Sequence, residues 1–191
     1  MTSGLVERAQ RGDHEAFDAL ATAAYHRLYA VSRRILRDGY AAEDVVQETL
    51  IRAWRDLRGL REPERFDAWL QRLLIRACQD HVRGQRRRPL QVPVLDVDGP
   101  VAIDEIARLA DRDELERAFL ELSVEHRAVL VLTHYVGLPA PEIAEILGIP
   151  PGTVYSRLHY AIRAMRVSMT RSGSTRGAGT RMASPDPEHG R

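Results

Sequence analysis

The chain has 191 residues, enough for two small domains, and its aliphatic-rich composition with only 6% aromatic residues favours helical modules over a β-sandwich or a large enzyme. Its single cysteine, Cys78, excludes a disulfide scaffold or a cysteine-based zinc site, and the lack of a signal peptide or a run of about 18 apolar residues predicts a cytoplasmic protein without membrane insertion. The net charge of +1 is unevenly distributed: residues 1–88 and 127–191 each carry a net charge of +4, and residues 89–126 between them carry −7. Two basic blocks joined by an acidic one predict two modules that face nucleic acid and are connected by a tether.

The N-terminal block, residues 1–89, predicts three helices. Apolar residues recur at helical spacing over 5–37, and we expect the segment around Gly39 to break this pattern because glycine readily ends helices. A second helix is predicted at 42–57, where Val46, Leu50, Trp54 and Leu57 form a buried stripe. A loop at 58–64 precedes the third helix, 65–85, and Pro89 stops the pattern.

The remaining sequence predicts a linker, a second helical domain and a tail. Residues 90–111 are acidic and interrupted by Pro93, Gly99 and Pro100, which is typical of a flexible connection. Helical spacing resumes over 112–122 and, after Ser123 as N-cap, continues to Val136. Two more helices are predicted at 141–147 and 151–169, and residues 170–191 are expected to be disordered. The fold class is therefore all-α, with two small helical domains joined by a flexible linker.

The last two predicted helices form a helix-turn-helix. Gly148 can adopt the left-handed conformation that closes the first helix, and Pro151 suits the first position of the second. Four apolar residues of the second helix face inward, namely Val154, Leu158, Ala161 and Met165. Its opposite face carries Thr153, Ser156, Arg157 and Tyr160, with Arg163 continuing it. Such a polar face is required for entry into the major groove, although an ordinary helical hairpin with a solvated face stays an alternative.

Two signatures in this order resemble the sigma-70 family of bacterial RNA polymerase sigma factors, and in particular its extracytoplasmic-function (ECF) class. Leu122 to Arg166 is similar to the fourth conserved region of that family, through the stretch Glu142 to Gly148 and the residues of the following helix. The sequence Asp44-Val45-Val46-Gln47-Glu48, followed by Trp54, resembles the family's second region, as do Phe66, Trp69-Leu70, Asp80 and Arg83 in the next helix. The resemblance covers roughly residues 5–168.

The resemblance implies that one face of the second helix docks on a coiled coil of the largest subunit of core RNA polymerase. The residues of this face are Asp44, Gln47, Glu48 and Arg55. A mixed acid and amide face suits an arginine-rich partner helix. For an arbitrary helix, a merely solvated face would be the alternative.

The third helix is implied to bind the −10 promoter element, where the DNA melts. Its candidate residues are Arg72, Arg76, Asp80, Arg83 and Arg87, with the arginines tracking phosphates and Asp80 bridging Arg76 or Arg83. Relatives commonly carry asparagine where this chain has Arg76, so the −10 specificity is expected to differ. The loop 58–64 corresponds to the segment that captures an everted base of the non-template strand in relatives, and no single residue is assigned to that pocket.

The helix-turn-helix is implied to bind the −35 element. The candidate residues are Thr153, Tyr155, Ser156, Arg157, Tyr160 and Arg163. Tyr155 and Tyr160 stand where relatives often carry lysine or arginine, which should weaken the electrostatic contribution to binding. Arg157 is therefore the main candidate for a base or phosphate contact.

The sequence thus predicts an ECF sigma factor that guides core RNA polymerase to promoters and assists DNA melting, without a cofactor, a metal or catalysis of its own. The histidines show no metal-ligand spacing, and Cys78 and Ser156 lack a base with an orienting group.

We expect contact between the two domains, or an anti-sigma protein, to hold the free chain closed. The linker fits either a path through the basic RNA-exit channel or a simple spacer. The alternatives are an ordinary helix-turn-helix regulator that binds duplex DNA without polymerase and a protein-binding helical module.

Overall fold

The computed structural model describes residues 2–85 and 114–179, and every regular element within these two ranges is helical. The N-terminal unit consists of α1 (Thr2–Gln10), α2 (His14–Leu36), α3 (Gly39–Asp56) and α4 (Phe66–Gln85), with short 3₁₀ turns at Leu57–Gly59 and Pro63–Arg65. The C-terminal unit consists of α5 (114–120), α6 (Val124–Leu130), α7 (Ala140–Leu147) and α8 (Pro151–Gly179). The predicted linker and Arg87 lie outside the described residues.

The first predicted helix, 5–37, is divided in two, so its prediction as one continuous helix was wrong. Gly12 has a φ of 97°, a left-handed conformation that favours glycine. The carboxylate of Asp13 then accepts a hydrogen bond from Ala16 N at 3.0 Å and caps α2. Arg8 reaches the same carboxylate at 2.7 Å. These contacts turn the chain between α1 and α2, while Val6 and Ala9 of α1 remain buried.

The break between α2 and α3 falls before Gly39, where the prediction had placed it at the glycine. Arg37 adopts the left-handed conformation with a φ of 61°, and its N–H donates to Arg33 O. Asp38 accepts a hydrogen bond from Ala41 N at 3.1 Å and so stabilises the N-terminus of α3. Gly39 is consequently the first residue of α3, because an aspartate N-cap supplies the bond that the helix start requires.

The core of the N-terminal unit lies between α2, α3 and α4. The fully buried side chains of these helices include Leu28, Ile35, Val46, Leu70 and Leu74. Burial of each such aliphatic side chain contributes roughly 1.5–3 kcal/mol to folding. The stripe predicted for the second helix, which is α3, is buried at Val46 and Leu57 and only partly buried at Leu50 and Trp54. In α4, Phe66 and Leu70 are buried, whereas Trp69 is partly buried at the edge of the core.

The C-terminal unit follows the prediction at its caps and departs from it at two helix ends. Ser123 is the N-cap of α6, with its hydroxyl accepting from His126 N at 3.4 Å. The helix predicted to reach Val136 changes to a π-helical turn at Val131–Tyr135. The helix predicted to end near Met169, with a disordered tail after it, continues to Gly179. Glycine only weakens a helix and does not stop it, and the rest of the predicted tail, residues 180–191, lies outside the described residues.

The two units pack against each other. One cluster of buried apolar side chains runs from Val6 in α1 to Val154 in α8, through α2, α4, α6 and α7. In the described parts of the chain, no helix has both the length and the apolarity needed to cross a membrane.

Cys78 provides a test of this packing. Its side chain is fully buried, and burial raises the pKa of the thiol to about 12, against the opposing influence of the positive charge of Arg127 in α6. We expect iodoacetamide at pH 8.5 to leave Cys78 unmodified in the native chain and to alkylate it rapidly in urea, because only the thiolate reacts. Equal rates under the two conditions, followed by mass spectrometry, would contradict the assigned burial.

Candidate protein and nucleic-acid interfaces

One face of α3 is turned away from the core and is polar. The residues Asp44, Gln47, Glu48 and Arg55, which the sequence grouped together, are all exposed. The side chain of Glu48 pairs with Arg52 one turn later, and Arg55 pairs with Asp56 at 3.0 Å. The structure therefore brings the four residues to one accessible surface, which we call the α3 face.

The α3 face also contains apolar residues that the sequence prediction did not include. Ile51 is 68% exposed and Tyr40 is 85% exposed. Ile51 lies one turn after Gln47 and one turn before Arg55, at the centre of the polar group. These two side chains add apolar area to an otherwise polar face, and the helical period could have revealed them.

The arginines of α4 differ in their accessibility. Arg76 and Arg83 are exposed, as is Asp80, whose carboxylate lies 3.8 Å from Arg83 and 3.6 Å from Arg52 of α3. Asp80 thus forms an ion pair with Arg83, one of the two arginines predicted as its partner. Its second ion pair, with Arg52, connects α4 to α3. Arg72 is partly buried, and its guanidinium donates a hydrogen bond to the backbone carbonyl of Glu145 in α7.

The region around Arg72 is where the two units meet through charged groups. Arg65, at the start of α4, pairs with the carboxylate of Glu145. Arg34 of α2 stacks over the ring of Tyr135 at 3.5 Å from the centroid. The side chains of Arg37 and Glu116 also form an ion pair. No sequence pattern predicted these contacts, because residues such as Arg65 and Glu145 are 80 positions apart in the chain.

The loop between α3 and α4 exposes mainly charged side chains. Leu57 is buried and Leu60 is partly buried, and between them the N–H of Leu60 donates to Leu57 O at 3.0 Å. Arg58, Gly59 and Arg61 are exposed at the outer side of this turn. The predicted loop is therefore an ordered pair of 3₁₀ turns rather than an irregular segment.

The predicted helix-turn-helix is present as α7 and α8. Gly148 has a φ of 64° and ends α7, and the N–H of Ile149 donates to Ala144 O at 3.0 Å. Pro151 is the first residue of α8. Val154 and Ala161 are buried between the helices, and Leu158 is partly buried, as the periodicity predicted.

The outward side of α8 carries the predicted −35 candidates in two environments. Ser156 and Arg163 are exposed, as are Tyr155 at 61% and Tyr160 at 63%. Thr153 and Arg157 are partly buried. The face is therefore accessible, but aromatic hydroxyls occupy a large part of it.

Tyr160 of α8 contacts a side chain of α6. Its ring stacks on the imidazole of His126, with 5.2 Å between centroids, and the hydroxyl of Ser123 lies 2.9 Å from His126 Nδ1. Burial lowers the pKa of His126, and the nearby charge of Arg157 lowers it further, so the ring is neutral at pH 7. In the residues that the structure describes, no group of His, Cys, Asp and Glu side chains is arranged to hold a metal ion.

Comparison with known proteins finds two family models that match separate parts of the chain. Residues 20–88 match the family model of sigma-70 region 2, and residues 112–165 match that of sigma-70 region 4. The ECF RNA polymerase sigma factor SigL of Mycobacterium tuberculosis is 39% identical over 153 residues, which are 78% of this chain and 86% of that protein. RNA polymerase sigma-H factor of Pseudomonas aeruginosa is 35% identical over 173 residues, 84% of this chain and 90% of that protein.

A solved structure has the same fold. CnrH, in complex with the cytosolic domain of CnrY, aligns with a TM-score of 0.63 and 26% identity over 89% of this chain and 97% of that chain. The chain therefore belongs to the sigma-70 family of RNA polymerase sigma factors. Within that family, its similarity to SigL is to a factor of the ECF group, as the two sequence signatures had predicted.

Gly148 and Gly152 provide a matched test of the helix-turn-helix. An added Cβ would find open space at either position, but only Gly148 has a positive φ. We expect Gly148→Ala to lower the free energy of unfolding by roughly 1–2 kcal/mol, because the left-handed conformation disfavours a side chain. Gly152→Ala, inside α8, should not lower it. Urea unfolding followed by circular dichroism measures both, and equal effects would contradict the assigned turn.

Proposed function

We propose that this chain is an ECF sigma factor that binds core RNA polymerase, directs it to promoters and assists DNA melting at initiation. The observation that carries this proposal is that regions 2 and 4 occur in one chain and that each presents an exposed polar helix face, on α3 and on α8. In this function the chain acts in the cytoplasm and catalyses no reaction itself. We assign residues 1–89 to polymerase and −10 binding, 90–111 to the linker and 112–169 to −35 binding.

In this proposal the α3 face binds the polymerase. It lies apart from the contact between the two units, so it is accessible while the units remain packed together. Its acids and amide suit an arginine-rich partner helix, and Ile51 supplies apolar area at the centre. Core binding can therefore precede any change within the chain.

One of the proposed DNA-binding residues, Arg72, requires the two units to separate before it can reach DNA. The guanidinium of Arg72 donates to Glu145 O and that of Arg65 pairs with the Glu145 carboxylate, so neither group is available to phosphates in the packed chain. Arg76 and Arg83 are exposed and extend the same helix toward Arg87. We infer that separation of α7 from α4 releases Arg72 and so completes the −10 surface.

A protein that binds the packed form would keep the sigma factor inactive. CnrH, a protein of the same fold, was solved in complex with another protein, the cytosolic domain of CnrY. We therefore include an anti-sigma protein among the partners of this chain, beside core polymerase and promoter DNA.

Run-off transcription tests the function. Purified core polymerase, this chain and fragmented DNA from the source organism are expected to give discrete, chain-dependent transcripts whose templates share two spaced upstream elements. Absence of transcripts, together with tight binding of duplex DNA by the chain alone, would contradict the sigma function and favour an ordinary helix-turn-helix regulator.

The two faces should be separable by mutation. We expect Asp44→Arg with Glu48→Arg to weaken core binding at least tenfold in a pull-down, because the reversed charges repel an arginine-rich partner. The same pair should leave −35 duplex binding unchanged.

Arg157→Ala is the reciprocal variant. It should leave core binding intact and reduce initiation at −35-dependent promoters about tenfold, as loss of one charge-assisted contact predicts. If Arg157→Ala abolished core binding, or if the α3 variants bound core normally, this division between the two faces would be wrong.

A further inference from the structure

The side chain of Gln10 joins the end of α1 to the loop between α3 and α4. Its Nε2 atom donates to two backbone carbonyls, at 3.1 Å to Leu57 O and at 2.6 Å to Leu60 O. Leu57 is the first residue of the first 3₁₀ turn, and Leu60 is its C-cap. One amide group therefore closes both ends of the turn, and the pair of bonds is partly shielded from water.

The position of this amide is fixed by the packing of α1. Val6 and Ala9 are buried in the core, and Arg8 pairs with the Asp13 carboxylate that caps α2. The hydrogen bond from Ala16 N and the bond from Arg8 both lower the pKa of Asp13, so the carboxylate is charged at neutral pH. Gln10 thus extends from a helix that is anchored to α2 by apolar and charged contacts.

The loop depends on few other contacts. Leu57 and Leu60 anchor it to the core, whereas Arg58, Gly59 and Arg61 are exposed between and after them. A short turn with so few anchors would adopt several conformations unless its carbonyls were held. The support comes from outside the matched family region, because region 2 begins at residue 20 and α1 ends at Gln10.

We propose that Gln10 is a positioning residue that fixes the 57–61 turn for the capture of an everted base of the non-template strand. This inference rests on the proposed function of the chain and on the family resemblance, which implies that the loop 58–64 takes that base. Gln10 does not touch DNA. It holds the two carbonyls so that the exposed part of the turn is already in its binding conformation, which removes the cost of ordering the loop when the strand opens.

Three variants isolate the two hydrogen bonds. Gln10→Glu keeps the size of the side chain but replaces the donor with a carboxylate that faces two carbonyl oxygens. Gln10→Leu removes the donor without adding a charge. Gln10→Lys retains N–H donors and is expected to restore activity. Glu7→Gln, at an exposed position of the same helix, is the matched control.

The readout is open-complex formation with core polymerase on a promoter found by run-off transcription. One set of templates carries a single abasic site at each position of the −10 non-template strand in turn. We expect Gln10→Glu and Gln10→Leu to slow opening of the intact promoter about tenfold, with core affinity unchanged. On the template that lacks the captured base, these variants and the unaltered chain should open the promoter at the same rate, because the loop then has no base to bind.

The outcomes separate the possible roles of Gln10. An equal loss on every template, or failure of Gln10→Lys to restore opening, would show that Gln10 only stabilises the fold and would overturn the proposal. Normal opening by Gln10→Glu and Gln10→Leu would overturn it as well. If the unaltered chain supported no transcription at all, the proposed function would fail instead, and this result is independent of the Gln10 variants.

Discussion

The packing of α4 against both halves of the molecule is the contact on which the other features depend. Its apolar side, with Leu70 and Leu74 fully buried, completes the core with α2 and α3. Its other surface meets α6 and α7, where Arg72 donates a hydrogen bond to the backbone carbonyl of Glu145 in the first helix of the helix-turn-helix. One helix therefore stabilises the N-terminal unit and also determines where the C-terminal unit lies.

The contact between the two units includes polar groups that contribute little to its stability. The Arg65–Glu145 pair is about half exposed on both sides, and such pairs contribute roughly 0–1 kcal/mol. Among the described residues, Arg72 Nε and Thr133 Oγ1 are buried without a hydrogen-bond partner. A buried polar atom left unpaired costs about 1–3 kcal/mol. The apolar contacts hold the units together, while these polar groups are better satisfied by water or phosphate.

The sequence was sufficient for the elements whose signals are local. The Ser123 cap, Gly148 and Pro151 each depend on residues within one or two turns, and all three were placed correctly. The break at Gly12 was missed because Asp13 resembles any exposed acid until its bond to Ala16 N is seen. In the same way, the glycine at 39 suggested a helix end, although the cap is Asp38.

Contacts between distant residues could not be read from the sequence. The four α3 residues were predicted because they share one helix, whereas the Glu145 partner of Arg65 and Arg72 arises only when the two units pack. Gln10 gave no signal either, since an amide at a helix end is usually solvated. Its role appears only because the loop at Leu57 and Leu60 returns to α1.

Separation of the two units is the central step of this account, and energy transfer between them measures it directly. Dyes would be attached through Ala23→Cys on α2 and His159→Cys on α8, both exposed, while the buried Cys78 stays unlabelled. High transfer is expected in the free chain, and Glu145→Arg should lower it by repelling Arg65. Addition of core polymerase and promoter DNA should lower it further. Unchanged transfer in a complex that initiates transcription would contradict the account, because Arg72 would then stay bonded to α7 during initiation.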